Sequence, residues 1–343
     1  MNAATQSAAG AIFIVGCQRS GTTLVRQMCC GHPALDVMPE THLMPLLAGR
    51  GRVLAQLGRR GLAAWLQRTL PAVNGTWQRP EMASRLTAAC RALAESPTRG
   101  AADAAGSTSV FAAWLAAWRE VCQARPGEKT PSHVYYLPAL LTAFPDAQAV
   151  VMHRDPRAAG CSEWLKHRSI AAPNRRFGWF RFAVRWASSV AVASDGERHF
   201  GADRVLQLRY EQLLAEPEAT ARRLSGFLGV PFDPGMLDVG QVNSSYRQGE
   251  SADALQGVVS APDDRWKEHL SRDTVRRLEH KVGPWMQRLG YPRCESAGRG
   301  GAASRAPLAG LVEFARRRPQ SFNRLASRGR YAGLHPNPRN LAA

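Results

Sequence analysis

Lysine is nearly absent from this chain. Of 45 basic residues among its 343, only Lys129, Lys166, Lys267 and Lys281 are lysine, which leaves 41 arginines. Acidic residues number 27, so the formal net charge is +18. Long apolar runs are missing too: Ala11 to Gly16 and Ala147 to Met152 fall far short of the ~20 residues of a membrane span. The N-terminus, MNAATQSAAG, has no basic segment ahead of an apolar one, which argues against a secretory leader. The nine histidines and seven cysteines form no HxxxH or CxxC arrangement, so no metal site is expected. An odd cysteine count with Cys29 and Cys30 adjacent reads as reduced thiols in a cytoplasmic protein.

With 45% hydrophobic residues the chain can bury a core, which excludes global disorder. A basic chain suggests nucleic acid, an anionic membrane surface or acidic ligands. The charge is uneven, however. Residues 293–343 carry ten arginines against two acids, a balance of +8, and the other 292 residues share +10. The body is therefore only mildly basic, and nucleic acid is not expected as a partner. Peripheral membrane contact through the basic tail stays open.

The run AIFIVG (11–16) reads as a buried strand, and TTLVRQMCC after it has helical spacing up to Gly31. From about 32 to 128 the pattern is largely helical, with Trp114 and Trp118 an i, i+4 pair suited to core packing. Then AQAVVMHR reads as a strand, Asp155-Pro156 as a helix start, 178–199 as a long helix, RVLQLRY as a strand and 211–229 as a helix. This strand–helix alternation predicts an α/β, three-layer domain with a central parallel sheet over 1–292. The segment 32–128 is expected as a helical insertion, and the Arg-rich 293–343 as a flexible tail.

Two motifs carry chemistry. Gly16-Cys-Gln-Arg-Ser-Gly21-Thr22-Thr23 has the phosphate-loop spacing G-x-x-x-x-G-K-[ST] between a strand and a helix, so its backbone N–H groups would cradle an anion. Thr22 stands where the lysine of a nucleoside triphosphatase would be, which disfavours triphosphate hydrolysis. The second is His153-Arg154-Asp155-Pro156 with Ser162 eight residues after Arg154. Arg154 would sit at the carboxyl end of a strand, and Ser162 within the next helix could share an oxyanion with it.

These residues resemble the sulfotransferases that use 3′-phosphoadenosine 5′-phosphosulfate (PAPS), especially their tyrosylprotein-sulfotransferase-like and related bacterial branch. The matching segments are FIVGCQRSGTTLVRQMCCGHP, PETHLMP, EKTPSHVYYLPALLTAFPDAQAVVMHRDPRAAGCS, RYEQLLAEPEATARRLSGFLGVP and, more loosely, RWKEHLS with the closing LGYP. The resemblance implies a P-loop-type fold and PAPS as donor, with no metal. It implies that Arg19, Ser20, Gly21, Thr22 and Thr23 hold the 5′-phosphosulfate, that Arg154 and Ser162 hold the 3′-phosphate, that Tyr210 lies near the nucleotide, and that Arg265 reaches a donor phosphate. Lys129 of EKTP, with Arg19, is implied as donor to the bridging oxygen, and Glu40 of PETH as the base for the acceptor hydroxyl. His42 is the rival base.

One departure bears on the acceptor. The tyrosylprotein enzymes carry arginine two and six residues after the glutamate, where this chain has His42 and Leu46. A saccharide, a lipid-linked glycan or a small molecule thus competes with peptidyl tyrosine as acceptor. Two other functions remain in view. One is a P-loop kinase-like phosphotransferase with a degenerate loop. The other is an inactive nucleotide-fold protein tethered through RRRPQSFNRLASRGR.

Overall fold

The run Ile12–Gly16 (β1) is the middle strand of a five-stranded, all-parallel sheet in the order β2-β3-β1-β4-β5. The computed structural model describes residues 10–48, 51–95, 107–170, 177–239, 264–294 and 306–326. The other strands are β2 (Leu35–Met38), β3 (Arg125–Lys129), β4 (Gln148–His153) and β5 (Val205–Arg209). β1 pairs along its whole length with β4, Ile12 opposite Gln148 and Gly16 opposite Met152.

Alternation along the strands sends side chains to two different cores. Ile12, Ile14, Val150, Met152, Leu206 and Leu208 face helices α1 (Thr22–Cys30), α9 (Tyr210–Ala215) and α10 (Pro217–Leu228). Phe13, Val15, Ala149, Val151 and Val205 face the other layer. That layer holds α2 (Leu43–Leu47), α3 (Gly51–Val73), α4 (Pro80–Glu95), α5 (Ser107–Cys122), α6 (Leu137–Ala143) and α8 (Trp179–Phe200). α7 (Pro156–Ile170) follows β4, and the short α11 (Trp266–His269) and α12 (Arg272–Arg288) pack against it. Among the described residues no helix is long and apolar enough to cross a membrane.

The sheet is wider than the hydrophobic pattern suggests. β2 and β3 lie inside the span expected to be helical, so the helical insertion narrows to α2–α5. LDVM is only four residues, and RPGEK carries proline, glycine and three charges, a composition that argues against a strand. Pairing decides instead: β3 is enclosed by β2 and β1, and all five of its residues are buried. Gly127 is required there, because a Cβ would lie 2.9 Å from Val37 Cγ2 and 3.0 Å from the Ile12 carbonyl oxygen. The helix expected over 211–229 divides into α9 and α10 at Glu216, which the following proline turns out of helical geometry.

Part of the expected flexible tail joins the body. Residues 306–326 form α13 (Ala306–Arg317) and α14 (Pro319–Ala326), and α13 packs along α8. Leu308, Val312, Ala315 and Phe322 are buried, with the Phe322 ring 5.2 Å from that of Tyr135. Arg316 pairs with Asp195 of α8 at 2.6 Å, and Arg317 with Glu313 at 2.7 Å. The arginines had obscured an apolar face of helical period. Residues 327–343 lie outside the described set.

Candidate active site

The loop after β1 owes its shape to two glycines. Gly16 (φ 149°) passes so close to β4 that a Cβ would be 2.4 Å from the Met152 carbonyl oxygen. Gly21 (φ 93°) caps α1, and its Cβ would be 2.3 Å from the Tyr210 ring. Between them Arg19 takes a left-handed conformation (φ 67°), and buried Ser20 donates its hydroxyl to the Cys17 carbonyl at 2.6 Å. No side chain caps α1, so its first N–H groups point into the loop, as an anion requires. Burial pushes the Cys17 thiol up to about 12, so it stays a thiol in the loop. Gly21→Ala should cost about 1–2 kcal/mol for the left-handed backbone alone, before any movement of Tyr210. Chemical denaturation would measure it; an unchanged midpoint would contradict the packing of Tyr210 on Gly21.

Around this loop the structure gathers residues far apart in sequence. Arg154, just past β4, donates from Nη1 to the Arg19 carbonyl at 2.9 Å and lies 4.5 Å over the Tyr210 ring. The Arg19 guanidinium donates from Nε to Ser162 Oγ on α7, also at 2.9 Å. Trp186 of α8 donates to the Arg154 carbonyl at 2.9 Å, fixing the strand end from the opposite layer. Asp155 accepts the Arg157 backbone N–H at 2.8 Å as the N-cap of α7 and also pairs with the Arg157 side chain. Two guanidinium groups, a hydroxyl, an aromatic ring and an uncapped helix start thus meet, a set suited to a nucleotide carrying several anionic groups.

A second group lies at the ends of β2 and β3. Glu40 receives Lys129 Nζ on Oε1 at 2.7 Å and His42 Nε2 on Oε2 at 3.0 Å. Its carbonyl accepts the Trp77 indole N–H at 3.0 Å. Burial pushes the Glu40 carboxyl up, but the His42 hydrogen bond and the Lys129 charge outweigh it and hold the group well below the usual carboxylate range. Glu40 is thus ionised, and weakly basic while both partners stay on it.

From one edge of the sheet to the other, the strand ends present Glu40 (β2), Lys129 (β3), the loop of Gly16–Thr23 (β1), Arg154 (β4) and Tyr210 (β5). α1 leaves β1 on one face, and the α7–α8 segment after β4 returns on the other. β1 and β4 therefore flank a topological switch point, where open α/β sheets bind ligands. Arg265 is placed at the exposed start of α11, which packs against α7. His42 and Leu46 are both buried.

Two contributors were missed in the sequence. Trp77 stands in a stretch that reads as a loop, PAVNGTWQRPE, and nothing local ties it to Glu40. Arg185 of α8 donates to Gln18 of the loop at 3.2 Å and pairs with Glu163 beside Ser162; a charged residue in an apolar helix was the available signal. Among the described residues no three His, Cys, Asp or Glu side chains gather as a metal site.

The family model described as "Sulfotransferase family" matches residues 11–234. A protein-tyrosine sulfotransferase A of Caenorhabditis elegans is 26% identical over 286 residues, 82% of this chain and 67% of that protein. A protein-tyrosine sulfotransferase 2 of Gallus gallus is 26% identical over 288 residues, 82% of this chain and 69% of that protein. The solved sulfotransferase domain from the curacin biosynthetic pathway superimposes with a TM-score of 0.53 at 21% identity, covering 83% of this chain and 99% of that one, a likeness of fold.

Proposed function

The chain belongs to the sulfotransferase family, and from that premise we propose that it moves a sulfuryl group from PAPS to an acceptor hydroxyl, with Glu40 as general base. One observation carries the reading. The Arg19–Ser162–Arg154 group and the Glu40–Lys129 pair occupy consecutive strand ends on one edge of the sheet. That arrangement suits in-line transfer between a nucleotide and a hydroxyl.

The donor supplies an activated sulfuryl group whose departure leaves charge on the bridging phosphate oxygen. The N-terminus of α1, with Ser20, Thr22 and Thr23, would hold the 5′ end. Arg154 and Ser162 would hold the 3′-phosphate, with Tyr210 alongside the nucleotide. Because Arg19 already donates to Ser162, it can link the two anionic ends. Arg265 is the outermost candidate contact. Lys129 would donate to the leaving oxygen. Turning that ammonium away from Glu40 also removes the charge that depresses the carboxyl, so the base strengthens when it must accept the acceptor's proton. His42 keeps Glu40 oriented.

The acceptor is proposed to be a saccharide or small-molecule hydroxyl, because the positions that read acidic peptides in tyrosylprotein enzymes hold the buried His42 and Leu46. The transferase domain is proposed to span 1–292, with 306–326 bracing α8.

Sulfuryl transfer from labelled PAPS to a panel of glycan, phenolic and peptide acceptors tests the reading. Transfer to at least one acceptor, and thermal stabilisation by adenosine 3′,5′-bisphosphate, are expected. Stabilisation by Mg-ATP and not by the bisphosphate would favour a kinase instead. Lys129→Met should move the acid limb of kcat/KM upward in pH. A carboxylate works only above its pKa, and the variant keeps the His42 hydrogen bond but loses Lys129, the second of the two partners that hold that pKa low. A limb that stays in place would contradict the pairing.

A further inference from the structure

A second carboxylate, wholly removed from solvent, lies next to Lys129 in β3. Glu128 and His133 are both 0% exposed. Adjacent strand residues point to opposite faces, so Glu128, in register with Phe13, turns towards the helical insertion while Lys129 turns away from it. Glu128 Oε1 accepts the Thr41 backbone N–H at 3.1 Å, the Thr41 hydroxyl at 2.9 Å and the Thr130 hydroxyl. Its Oε2 accepts His133 Nδ1 at 2.9 Å. Burial pushes this carboxyl up, but His133 and the donors of Thr130 and Thr41 more than offset it, so it is ionised.

All of these contacts end on one turn. Thr130 Oγ1 also accepts the N–H groups of Thr41 at 3.1 Å and His42 at 3.3 Å. Thr41 Oγ1 accepts the Leu43 N–H at 3.3 Å, and His133 Nε2 accepts the Met44 N–H at 3.4 Å. That last bond requires Nε2 to be unprotonated, which places the imidazole proton on Nδ1, facing Glu128. Four successive backbone donors, 41 to 44, are thus satisfied by side chains, three of them through the 128–133 segment. Within the turn His42 is held in the left-handed region (φ 51°), a conformation histidine keeps only when its surroundings impose it. A short helix made of buried Leu43, Met44, Pro45, Leu46 and Leu47 needs no buried carboxylate to pack, and apolar residues could fill the space of the carboxylate and imidazole at no greater cost.

We infer that Glu128, Thr130 and His133 form a positioning device that fixes the Glu40–His42 turn against Lys129, and that it governs turnover and not donor affinity. One strand then sets both halves of the Glu40–Lys129 pair: Lys129 by direct contact, and Glu40 through the turn that Glu128 holds. The inference rests on Glu40 acting as base.

The test compares Thr130→Val, which keeps the shape and removes the hydroxyl, with Thr130→Ser, which restores it. Each full-length variant is assayed for kcat and donor KM with PAPS and the panel acceptor of highest kcat, and titrated with adenosine 3′,5′-bisphosphate. Thr130→Val should lower kcat by about 10- to 100-fold, the scale of a misplaced catalytic group, with the bisphosphate affinity unchanged, and Thr130→Ser should regain most of the loss. Should Thr130→Val fail to fold, Glu128→Gln provides the same comparison, since it keeps the side chain's shape and one acceptor oxygen. An unchanged kcat in a folded variant, a parallel loss of bisphosphate affinity, or a serine variant as slow as the valine would overturn the inference. Glu40→Gln separates the two ideas: if it is slow while Thr130→Val is not, only the positioning role fails. If Glu40→Gln is itself undiminished, the base assignment fails first.

Discussion

Glu40→Gln should lower turnover by about 100- to 10,000-fold, the usual contribution of a positioned general base, while the affinity for adenosine 3′,5′-bisphosphate stays unchanged. The amide matches the carboxylate in shape, and its oxygen can still accept from Lys129 or His42, so the turn should keep its fold. What it loses is the capacity to take a proton. Donor binding is spared because Glu40 lies just past β2, two strands from β1 and its loop. Single-turnover transfer and calorimetric titration of the bisphosphate check the two halves separately. A folded variant with undiminished transfer would refute the assignment. His42→Gln, by comparison, should be much milder, because it keeps a donor towards Glu40 Oε2; a loss as deep as that of Glu40→Gln would move the base to His42.

Arg154→Ala should show the opposite split. A hydrogen bond to a charged group contributes about 1.5–3 kcal/mol, so the bisphosphate Kd should rise about 10- to 150-fold. The side chain also anchors the Arg19 carbonyl and covers Tyr210, so its removal loosens the loop that holds the other end of the donor. At saturating PAPS much of kcat should return, because Arg154 lies on the far side of the loop from Glu40 and Lys129. Arg154→Lys should recover only part of the affinity: it keeps the charge but not the planar group over the ring. An unchanged Kd in Arg154→Ala would remove the residue from the donor site.

The parts of the fold legible in the sequence were those with local causes. β1, β4 and β5 are runs rich in Val, Ile and Leu, and the glycines of the first loop are dictated by backbone angles that other residues resist. β2 and β3 were hidden because what makes them strands is their neighbours. Gly127 looks like a breaker until Val37 and Ile12 close over it. α13 and α14 were hidden by charge: Arg316 and Arg317 suggest a solvated tail, yet Asp195 and Glu313 receive them and the face beneath is apolar.

The same division runs through the site. By itself the sequence determined the chemical groups and their local settings: a phosphate-binding turn without a lysine at Thr22, an arginine at a strand end, and a lysine and a glutamate in short recognisable segments. Only the tertiary structure decided which groups meet. Lys129 and Glu40 are 89 residues apart, and Arg19 and Ser162 are 143 apart. No spacing rule spans such distances. These contacts follow from how the parallel strands pack: all five strands run the same way, so their carboxyl ends share one edge of the sheet, and the order β2-β3-β1-β4-β5 sets which of those ends are neighbours.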